Sequence, residues 1–401
     1  MTLRRVGFAA FFLLGWTILL VPSLIRDIEA AYGQSDGGMG LAYLAYSGLY
    51  VVGTVAVGTL AVRFERRLLL GSGPVVVAAG CVVCAVAPGF GVFVLGFVLV
   101  GVGAGIIDSG VNALFMDLYP DDRATALNRL HLWVAIGALA GPFVVGRLVG
   151  SGVDWRLLLV GTAVGAVAVA AGLATRHMPR AGGHGAASAA IASAAIASPG
   201  SAVRTPLAQR ALVPLIALAV GIGCYIATEI GVTSWLVRFL VDADVALATL
   251  ALSLFWGGLA LGRLLASVHG NRVRPVRLAS VAAVACGTAI LVGVLVPALP
   301  VRIAMFAVAG FAAGPIYPTI MAVGGSFYPT RTSLVSVVLS ASAVMGSIAY
   351  PPLMGALSDA VGLPVGMAGA GLLAIVAAAM VVLAATRAAR IKLGKLPAPA
   401  G

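Results

Sequence analysis

Twelve long apolar runs dominate this sequence of 401 residues and restrict what it can fold into. Each run has roughly 20 residues, which is the length of a helix that crosses the ~30 Å hydrocarbon core of a bilayer. Only 9% of the residues are charged, whereas a soluble domain carries about a quarter. We therefore predict an all-α membrane protein, with spans near residues 6–25, 39–62, 68–87, 91–116, 127–149, 155–175, 211–236, 246–266, 278–296, 301–325, 334–356 and 365–386.

The distribution of basic residues predicts how the chain is oriented in the membrane. With the N-terminus placed in the cytoplasm, only five of the 25 Lys and Arg residues fall on the outer side: Arg26, Arg147, Arg156, Arg238 and Arg302. Cytoplasmic loops are enriched in Lys and Arg, so this asymmetry predicts a multi-pass protein of the cytoplasmic (inner) membrane with both termini in the cytoplasm. The formal charge of +12 is then interpreted as contact with the lipid bilayer, and no nucleic-acid partner is expected.

The sequence repeats itself without a gap at a distance of 209 residues. Matching pairs include Gly53 with Gly262, Gly105 with Gly314, and Pro142 with Pro351. A duplicated six-helix unit is typical of secondary transporters, whose solute site lies between the repeats near the membrane midplane. We expect two pseudo-symmetric six-helix bundles at 1–178 and 209–390, joined by a flexible cytoplasmic linker at 179–208 and followed by a cytoplasmic tail at 391–401.

Two of the 13 acidic residues, Asp108 and Glu229, fall inside apolar spans. Of the others, seven are placed in outer loops, among them Asp27 and Glu29, and four at the cytoplasmic face. A charged side chain at mid-depth costs at least ~2.5–3.5 kcal/mol on insertion scales, so such residues are functional candidates. Low-dielectric surroundings favour the neutral carboxyl group, which suits a proton carrier. We expect Asp108, Glu229 and His131 to couple transport to protons; structural hydrogen bonding is the alternative for each.

Polar and aromatic side chains share helix faces with the two acids. Asn112 follows Asp108 by four residues, and Tyr225 precedes Glu229 by four, a spacing that places each pair on one face. Such side chains suit a small solute with hydroxyl groups and a C–H face, such as a sugar. The predicted solute-binding residues are Asn112, Trp16, Tyr46, Tyr50, Tyr225, Trp256, Tyr317 and Asn128. Packing or anchoring at the membrane interface is the alternative for each aromatic residue.

Prolines inside three spans predict places where helices bend. Pro142 lies in the fifth span, Pro315 and Pro318 lie in the tenth, and Pro351 and Pro352 lie in the eleventh. A proline removes a backbone donor from the helix, which is tolerated where neighbours or a cavity satisfy the freed group. Since the sequence has neither a zinc-protease motif nor an ATP-binding loop, we expect no enzyme activity and no cofactor, and transport driven by a gradient.

The loop at residues 58–67 carries a resemblance to a known family. It reads Gly-Thr-Leu-Ala-Val-Arg-Phe-Glu-Arg-Arg and resembles the Gly-x-Leu-Ala-Asp-Arg-x-Gly-Arg-Arg signature of the major facilitator superfamily. Val62 replaces the Asp of that signature, and Glu65 replaces its second Gly. The resemblance implies the major facilitator fold, and with it a gating role for the prolines and for Gly58, Arg63, Arg66, Arg67 and Arg263.

Within that superfamily, three stretches resemble the fucose permease and its glucose/galactose-transporting relatives. They are residues 106–112, 127–142 and 225–263. The resemblance implies proton-coupled sugar symport with Asp108 as the carrier acid. One departure is that the group has an acid in its first span beside Leu-Leu-Pro, whereas Thr17 to Pro22 contain none.

Three hypotheses remain open from the sequence. The first is a monomeric, proton-coupled importer of a sugar, a polyol or a similar small polar solute. The second is a proton-antiport exporter of drugs or metabolites, because Gly137-x-x-x-Gly141-Pro142 also resembles the antiporter pattern of the fifth span. The third is a nutrient receptor that binds solute without carrying it. Uptake and efflux assays would separate them.

Overall fold

A computed structural model describes residues 2–61, 63–176, 178, 209–269 and 272–393 of the chain. The predicted linker at 179–208, Val62 and the end of the predicted tail at 394–401 lie outside the described residues. Within those ranges the regular structure is helical, and no β-strand occurs. The sequence-based prediction of an all-α protein is therefore confirmed.

The described residues form thirteen α-helices. They are α1 (Leu3–Tyr32), α2 (Asp36–Leu60), α3 (Arg66–Ala85), α4 (Phe90–Leu118), α5 (Arg123–Gly150), α6 (Trp155–Ala174), α7 (Gln209–Phe239), α8 (Val245–His269), α9 (Pro275–Leu295), α10 (Leu299–Ala313), α11 (Ile316–Phe327), α12 (Thr332–Val361) and α13 (Leu363–Leu393). Twelve stretches are long and apolar enough to cross a membrane, with α10 and α11 together forming the tenth. This confirms the predicted number of spans.

The first helix is longer than its apolar run predicts. It continues to Tyr32 and ends at Gly33, whose φ of 59° is a left-handed conformation that favours glycine. Ser35 then caps α2 by accepting a hydrogen bond from the Gly38 N–H at 3.3 Å. The prediction that Asp27 and Glu29 lie in an outer loop is therefore wrong, because both belong to the last turns of α1.

The tenth span is interrupted between α10 and α11. The first of these helices ends at Ala313 and the second begins at Ile316, with Gly314 and Pro315 between them. Pro318 lacks the N–H that would normally pair with the carbonyl oxygen of Gly314. The prolines predicted to bend this span therefore coincide with a break that leaves backbone acceptors for other partners.

The chain divides into two compact units. The first combines Met1–Ser193 with Thr233–Gly257 and Pro351–Gly366, and the second combines Ala194–Val232, Gly258–Tyr350 and Met367–Gly401. In the first unit α4 packs on α2 and α3, α1 on α5, and α3 on α6; in the second, α9 packs on α10 and α11. The division into bundles at 1–178 and 209–390 follows the sequence repeat and stays a prediction.

In the first unit, glycine permits a close crossing of α2 and α4. A Cβ atom on Gly53 would lie 2.1 Å from the carbonyl oxygen of Val102. A Cβ atom on Gly105 would lie 2.1 Å from the carbonyl oxygen of Tyr50. Carbon and oxygen atoms cannot approach so closely, so both positions require glycine for the two backbones to meet.

The second unit contains the same crossing at positions 209 residues later. A Cβ atom on Gly262 would lie 2.0 Å from the carbonyl oxygen of Phe311, and one on Gly314 would lie 2.5 Å from that of Leu259. Each glycine and each opposing carbonyl group is the exact sequence equivalent of its counterpart in the first unit. The repeat therefore extends from the sequence to the backbone contacts of the helices.

Candidate functional site

Asp108 is held by hydrogen bonds to both of its carboxyl oxygens. Tyr50 on α2 donates from Oη to Oδ2 at 2.8 Å, and Asn112, one turn later on α4, donates from Nδ2 to Oδ1 at 2.9 Å. The crossing at Gly105 brings α2 close enough for the tyrosine to reach the acid. The structure thus brings together three of the residues that the sequence singled out, around a carboxyl group inside a membrane span.

Tyr46 extends this cluster by one turn of α2. Its ring stacks on Phe97 with centroids 4.5 Å apart and lies 6.3 Å from the ring of Tyr50. The Tyr46 hydroxyl oxygen is buried and has no hydrogen-bond partner among the described residues. A buried polar group without a partner is costly, so this hydroxyl is available to a bound solute or water molecule.

The fifth helix, α5, carries two further predicted site residues, His131 and Asn128. His131 lies within electrostatic range of Asp108, and its ring meets that of Phe11 edge-on with centroids 5.4 Å apart. Asn128, one turn earlier on the same helix, is exposed. The placement of His131 is compatible with a proton relay to Asp108, which stays a prediction.

The second unit holds the other intramembrane acid. Glu229 lies on α7 and is 8% exposed, and Tyr225, one turn earlier, is fully buried. The Tyr225 hydroxyl group is hydrogen-bonded to Glu229 Oε2 and lies 2.9 Å from the carbonyl oxygen of Ala313. The pair that shares a helix face by sequence is therefore in direct contact, as the spacing predicts.

The break in the tenth span supplies acceptors to this second cluster. The carbonyl oxygen of Gly314, which Pro318 cannot pair, accepts a long hydrogen bond of 3.4 Å from Arg263 Nε on α8. The neighbouring carbonyl group of Ala313 receives the hydroxyl group of Tyr225. Two consecutive backbone acceptors at the break are thus contacted by side chains of α7 and α8.

The remaining predicted solute-binding residues lie in different surroundings. Trp16 donates from Nε1 to Thr162 Oγ1 at 2.9 Å and lines a cavity whose wall does not include Asp108. Trp256 on α8 has a buried Nε1 without a partner among the described residues. Tyr317 is partly buried on α11, next to the break. Their binding roles stay predictions.

The basic segment at residues 63–67, which includes the first two residues of α3, forms ion pairs that its signature alone does not specify. Arg66 Nη1 lies 2.7 Å from Asp117 Oδ2, and the two side chains are 9% and 11% exposed. Arg67 pairs with Glu65 at 2.9 Å on the surface. The sequence alone does not identify Asp117 as the partner of Arg66, although this acid lies next to the end of an apolar span.

The other predicted gating residues take varied positions. Gly58 lies near the end of α2, and Arg63 is exposed in the loop that follows. Pro142 is buried within α5. Their positions leave the predicted gating roles as predictions.

A polar network that sequence reasoning missed lies within the first unit. Arg238 Nε on α7 lies 2.8 Å from Glu29 Oε2 and 2.9 Å from Asp36 Oδ1. Ser358 also hydrogen-bonds to Asp36. The sequence prediction places more acidic than basic residues on the outer side, which could have suggested such a network. Its acidic and basic members are, however, more than 200 residues apart in sequence.

Two further sets of contacts extend this polar network. Asp359 Oδ2 accepts hydrogen bonds from Ser35 Oγ at 2.8 Å and from the Gly37 N–H at 3.0 Å. Arg26 donates to backbone carbonyl groups at the end of α7 and just beyond it, namely those of Val237, Leu240 and Ala243. Residues of α1 and α2 are thereby joined to the ends of α7 and α12.

The sequence profile of the Major Facilitator Superfamily matches residues 6–331. The chain belongs to this superfamily. It is a transporter rather than an enzyme, and a multi-pass membrane protein, as the sequence predicts.

Curated relatives match a shorter stretch of this superfamily member. The chain is 25% identical over 137 residues to the sodium-dependent glucose transporter 1A of Mus musculus, covering 34% of this chain and 32% of the relative. It is 30% identical over 146 residues to a putative glucose/galactose transporter of Helicobacter pylori, covering 35% of each. The chain thus spans about a third of the length of the curated relatives it matches.

Solved structures match over almost the whole chain. A bacterial homolog of the human lysosomal transporter Spinster, in an inward-facing and occupied conformation, has a TM-score of 0.74 at 18% identity, covering 99% of this chain and 98% of the other. The fucose:proton symporter of E. coli has a TM-score of 0.59 at 17% identity, covering 96% and 98%. At such identities these structures show the shared fold.

Proposed function

We propose that this transporter is a monomeric, proton-coupled symporter of a sugar, a polyol or a similar small polar solute. It would work by alternating access in the cytoplasmic membrane, with both termini in the cytoplasm. The observation that carries the proposal is the engagement of both oxygens of Asp108 by Tyr50 and Asn112 inside the membrane spans. The glucose and galactose transporters among its partial relatives favour the same solute class.

Asp108 can couple proton binding to solute binding because its hydrogen-bond partners, Tyr50 and Asn112, can also form hydrogen bonds to a solute. Protonation would turn one carboxylate oxygen into a hydroxyl donor, so the hydrogen bond that this oxygen accepts, from Tyr50 or from Asn112, would rearrange. A solute hydroxyl group can take up the acceptor or donor that this rearrangement frees. Proton and solute then favour the same state of the carrier, which is the thermodynamic requirement for coupling.

The contacts of Tyr225 support a proton on Glu229. A phenol has a single proton, yet the Tyr225 oxygen lies within hydrogen-bond reach of both Glu229 Oε2 and the carbonyl oxygen of Ala313. A carbonyl oxygen can only accept. If Tyr225 donates to Ala313, then Glu229 must itself donate to the tyrosine. We propose that Glu229 is a second proton-carrying group, which Tyr225 connects to the break in the tenth span.

Two buried groups without hydrogen-bond partners in the described part of the chain support the proposed solute class. Tyr46 Oη and Trp256 Nε1 are both buried, and both lack a hydrogen-bond partner among the described residues. Both groups are donors on flat aromatic rings, which suit the hydroxyl groups and the C–H face of a sugar. A fully apolar drug would leave these groups unsatisfied, so a polyhydroxylated solute fits better.

The glycine pattern that favours an exporter has a structural explanation. A Cβ atom on Gly137 would lie 2.1 Å from the carbonyl oxygen of Phe12, so this glycine is required where α1 meets α5. The pattern therefore carries no separate argument for antiport. The exporter hypothesis is retained only as an outcome of the experiment.

The experiment is uptake into proteoliposomes of a panel of sugars and polyols, with a proton gradient or a sodium gradient imposed separately. We expect proton-driven accumulation that Asp108→Asn abolishes, while solute exchange without a gradient persists. Asp121→Asn, which changes an exposed loop acid, is the matched control and should behave like the wild type.

Three results would contradict the proposal. The first is uptake that is indifferent to the proton gradient. The second is accumulation driven by sodium alone. The third is resistance to cationic dyes in cells without any sugar uptake, which would favour the exporter instead.

A further inference from the structure

A large cavity lies in the first unit, away from Asp108. It has a volume of about 1010 Å³ and is lined by residues of α1, α5 and α6, among them Phe8, Phe12, Trp16, Trp133 and Leu157. The first helix packs against both α5 and α6, whereas α5 and α6 scarcely touch each other. The cavity is therefore a groove between α5 and α6 with α1 as its floor. We call it the α5–α6 groove.

Two glycines on α6 create the depth of this groove. Gly161 and Gly165 are four residues apart and share a helix face. A Cβ atom added to either would meet no other atom within 4 Å, so the space above them is open. The groove thus exists because these positions carry no side chain.

The wall of the groove offers no free polar group in its interior. Trp16 Nε1 donates to Thr162 Oγ1, and the threonine hydroxyl group in turn donates to the carbonyl oxygen of Leu158 at 2.8 Å. Every hydrogen-bonding group of this pair is therefore used within the protein. A sugar would lose its hydration here without replacement, whereas a hydrocarbon chain loses nothing.

The rim of the groove opens to the surface of the unit. Leu157 is 60% exposed and Trp133 is 36% exposed. Along α6 the lining runs from Leu157 to Val169, about 18 Å at 1.5 Å per residue. One leaflet of a bilayer has about 15 Å of hydrocarbon, half of the total thickness. An acyl chain from one leaflet therefore fits along the groove.

A positive charge lies at the end of the groove that the predicted topology places in the cytoplasm. Arg5 lines the groove, is exposed, and forms no salt bridge among the described residues. Its neighbour Arg4 is exposed too but does not line the groove. An apolar channel that ends in a guanidinium group complements a molecule with a hydrocarbon chain and an anionic head.

We propose that the α5–α6 groove binds one anionic phospholipid of the cytoplasmic leaflet. The acyl chain would lie over Gly161 and Gly165, and the headgroup phosphate would accept hydrogen bonds from Arg5. Such a lipid would contact all three helices and fill the gap between α5 and α6. The proposal is independent of the transported solute.

The test is native mass spectrometry of the full-length protein titrated with phosphatidylglycerol or with phosphatidylcholine of the same acyl chains. We expect one phosphatidylglycerol to bind more tightly than phosphatidylcholine. Arg5→Gln should weaken phosphatidylglycerol binding about fivefold, the effect of one basic residue near the membrane surface. Arg4→Gln, the matched control, should leave it within twofold of the wild type.

A second variant tests the groove itself. Gly161→Leu combined with Gly165→Leu should fill the open space and abolish the preference for phosphatidylglycerol. Gly325→Leu, at another helical glycine with open space above it, should preserve the preference. Melting temperatures in detergent establish whether each variant is folded. If the double glycine variant does not fold, the comparison of Arg5→Gln with Arg4→Gln decides the test.

Several results would overturn the proposal. Equal binding of phosphatidylglycerol and phosphatidylcholine would show that the lipids bind without specificity around the protein surface. Equal losses in Arg4→Gln and Arg5→Gln would show only general attraction to surface charge. Retention of the preference in a folded, filled variant would place the lipid elsewhere.

Discussion

Tyr50 Oη donates to Asp108 Oδ2 across 2.8 Å, from α2 to α4. The backbone of the same tyrosine faces Gly105, where even a methyl group would not fit. The residue that holds the acid is thus itself fixed by the helix crossing. The hydrogen bond depends on a glycine three residues before the acid, so the chemistry of the cluster and the packing of the two helices are linked.

Removal of the Tyr50 hydroxyl group should weaken transport without disturbing the helices. A hydrogen bond to a charged group contributes about 1.5–3 kcal/mol, so we expect Tyr50→Phe to lower kcat/KM of proton-driven uptake at least about tenfold. Tyr46→Phe is the matched control, since its hydroxyl group has no partner among the described residues. That variant should raise KM for the solute and leave the proton-to-solute ratio unchanged. Identical defects in both variants would argue against distinct roles.

The helix crossing in the first unit predicts a stability difference between two glycines. Gly105→Ala should lower the free energy of unfolding by about 1–3 kcal/mol, because the new methyl group must displace the carbonyl group of Tyr50. Gly161→Ala, in open space, should leave stability unchanged or slightly improve it. Thermal unfolding in detergent measures both effects. Equal melting temperatures for the two variants would be inconsistent with the observed crossing.

The equivalent glycine of the second unit should behave in the same way. A methyl group on Gly314 would also meet the backbone of Arg263 and Leu259. We therefore expect Gly314→Ala to lower the melting temperature about as much as Gly105→Ala. A neutral result would show that the two crossings are not energetically equivalent.

The ion pair between Arg66 and Asp117 should show strong coupling. Both side chains are about nine-tenths buried, and loss of one partner removes a close opposite charge from the buried group that remains. Arg66→Met and Asp117→Leu should each lower the free energy of unfolding by about 3–5 kcal/mol, whereas the double variant should cost less than either. A double-mutant cycle of unfolding in detergent measures the coupling. Additive losses would mean that the pair contributes as two independent residues.

The proton proposed on Glu229 predicts a difference between two replacements. Glu229→Gln keeps a donor for the Tyr225 oxygen, so the protein should retain its melting temperature while losing solute-dependent proton flux. Glu229→Ala removes the partner altogether and should destabilise the fold by about 1–3 kcal/mol. Proton flux is followed with a pH-sensitive dye inside the vesicles. Normal flux in Glu229→Gln would remove this residue from the coupling mechanism.

Local sequence spacing was sufficient for contacts within one helix. The pairs Asp108 with Asn112 and Tyr225 with Glu229 are separated by one helical turn, and both are hydrogen-bonded in the structure. The number of spans also follows from the apolar runs alone, because the bilayer thickness sets their length.

Contacts between helices needed the structure. The partner of Arg66 depends on how the end of α4 lies against the start of α3, which no spacing rule gives. The orientation of Trp16 toward Thr162 depends on the rotation of α1 in the unit, and each residue turns about 100° around a helix. The link from Arg238 to Glu29 joins residues that only the fold makes neighbours.

The paired glycine crossings restrict which parts of this transporter can be its moving parts. At these crossings a backbone carbonyl oxygen occupies the place of a glycine side chain, so the two helices cannot slide along each other. We therefore expect α2 to move together with α4, and α8 to move together with the tenth span, as rigid pairs. Local bending is then expected at the proline break that follows Ala313, whose carbonyl oxygen contacts the Tyr225 hydroxyl group that is hydrogen-bonded to Glu229. Bending at this break would therefore move Tyr225 and alter its hydrogen bond to the intramembrane acid Glu229.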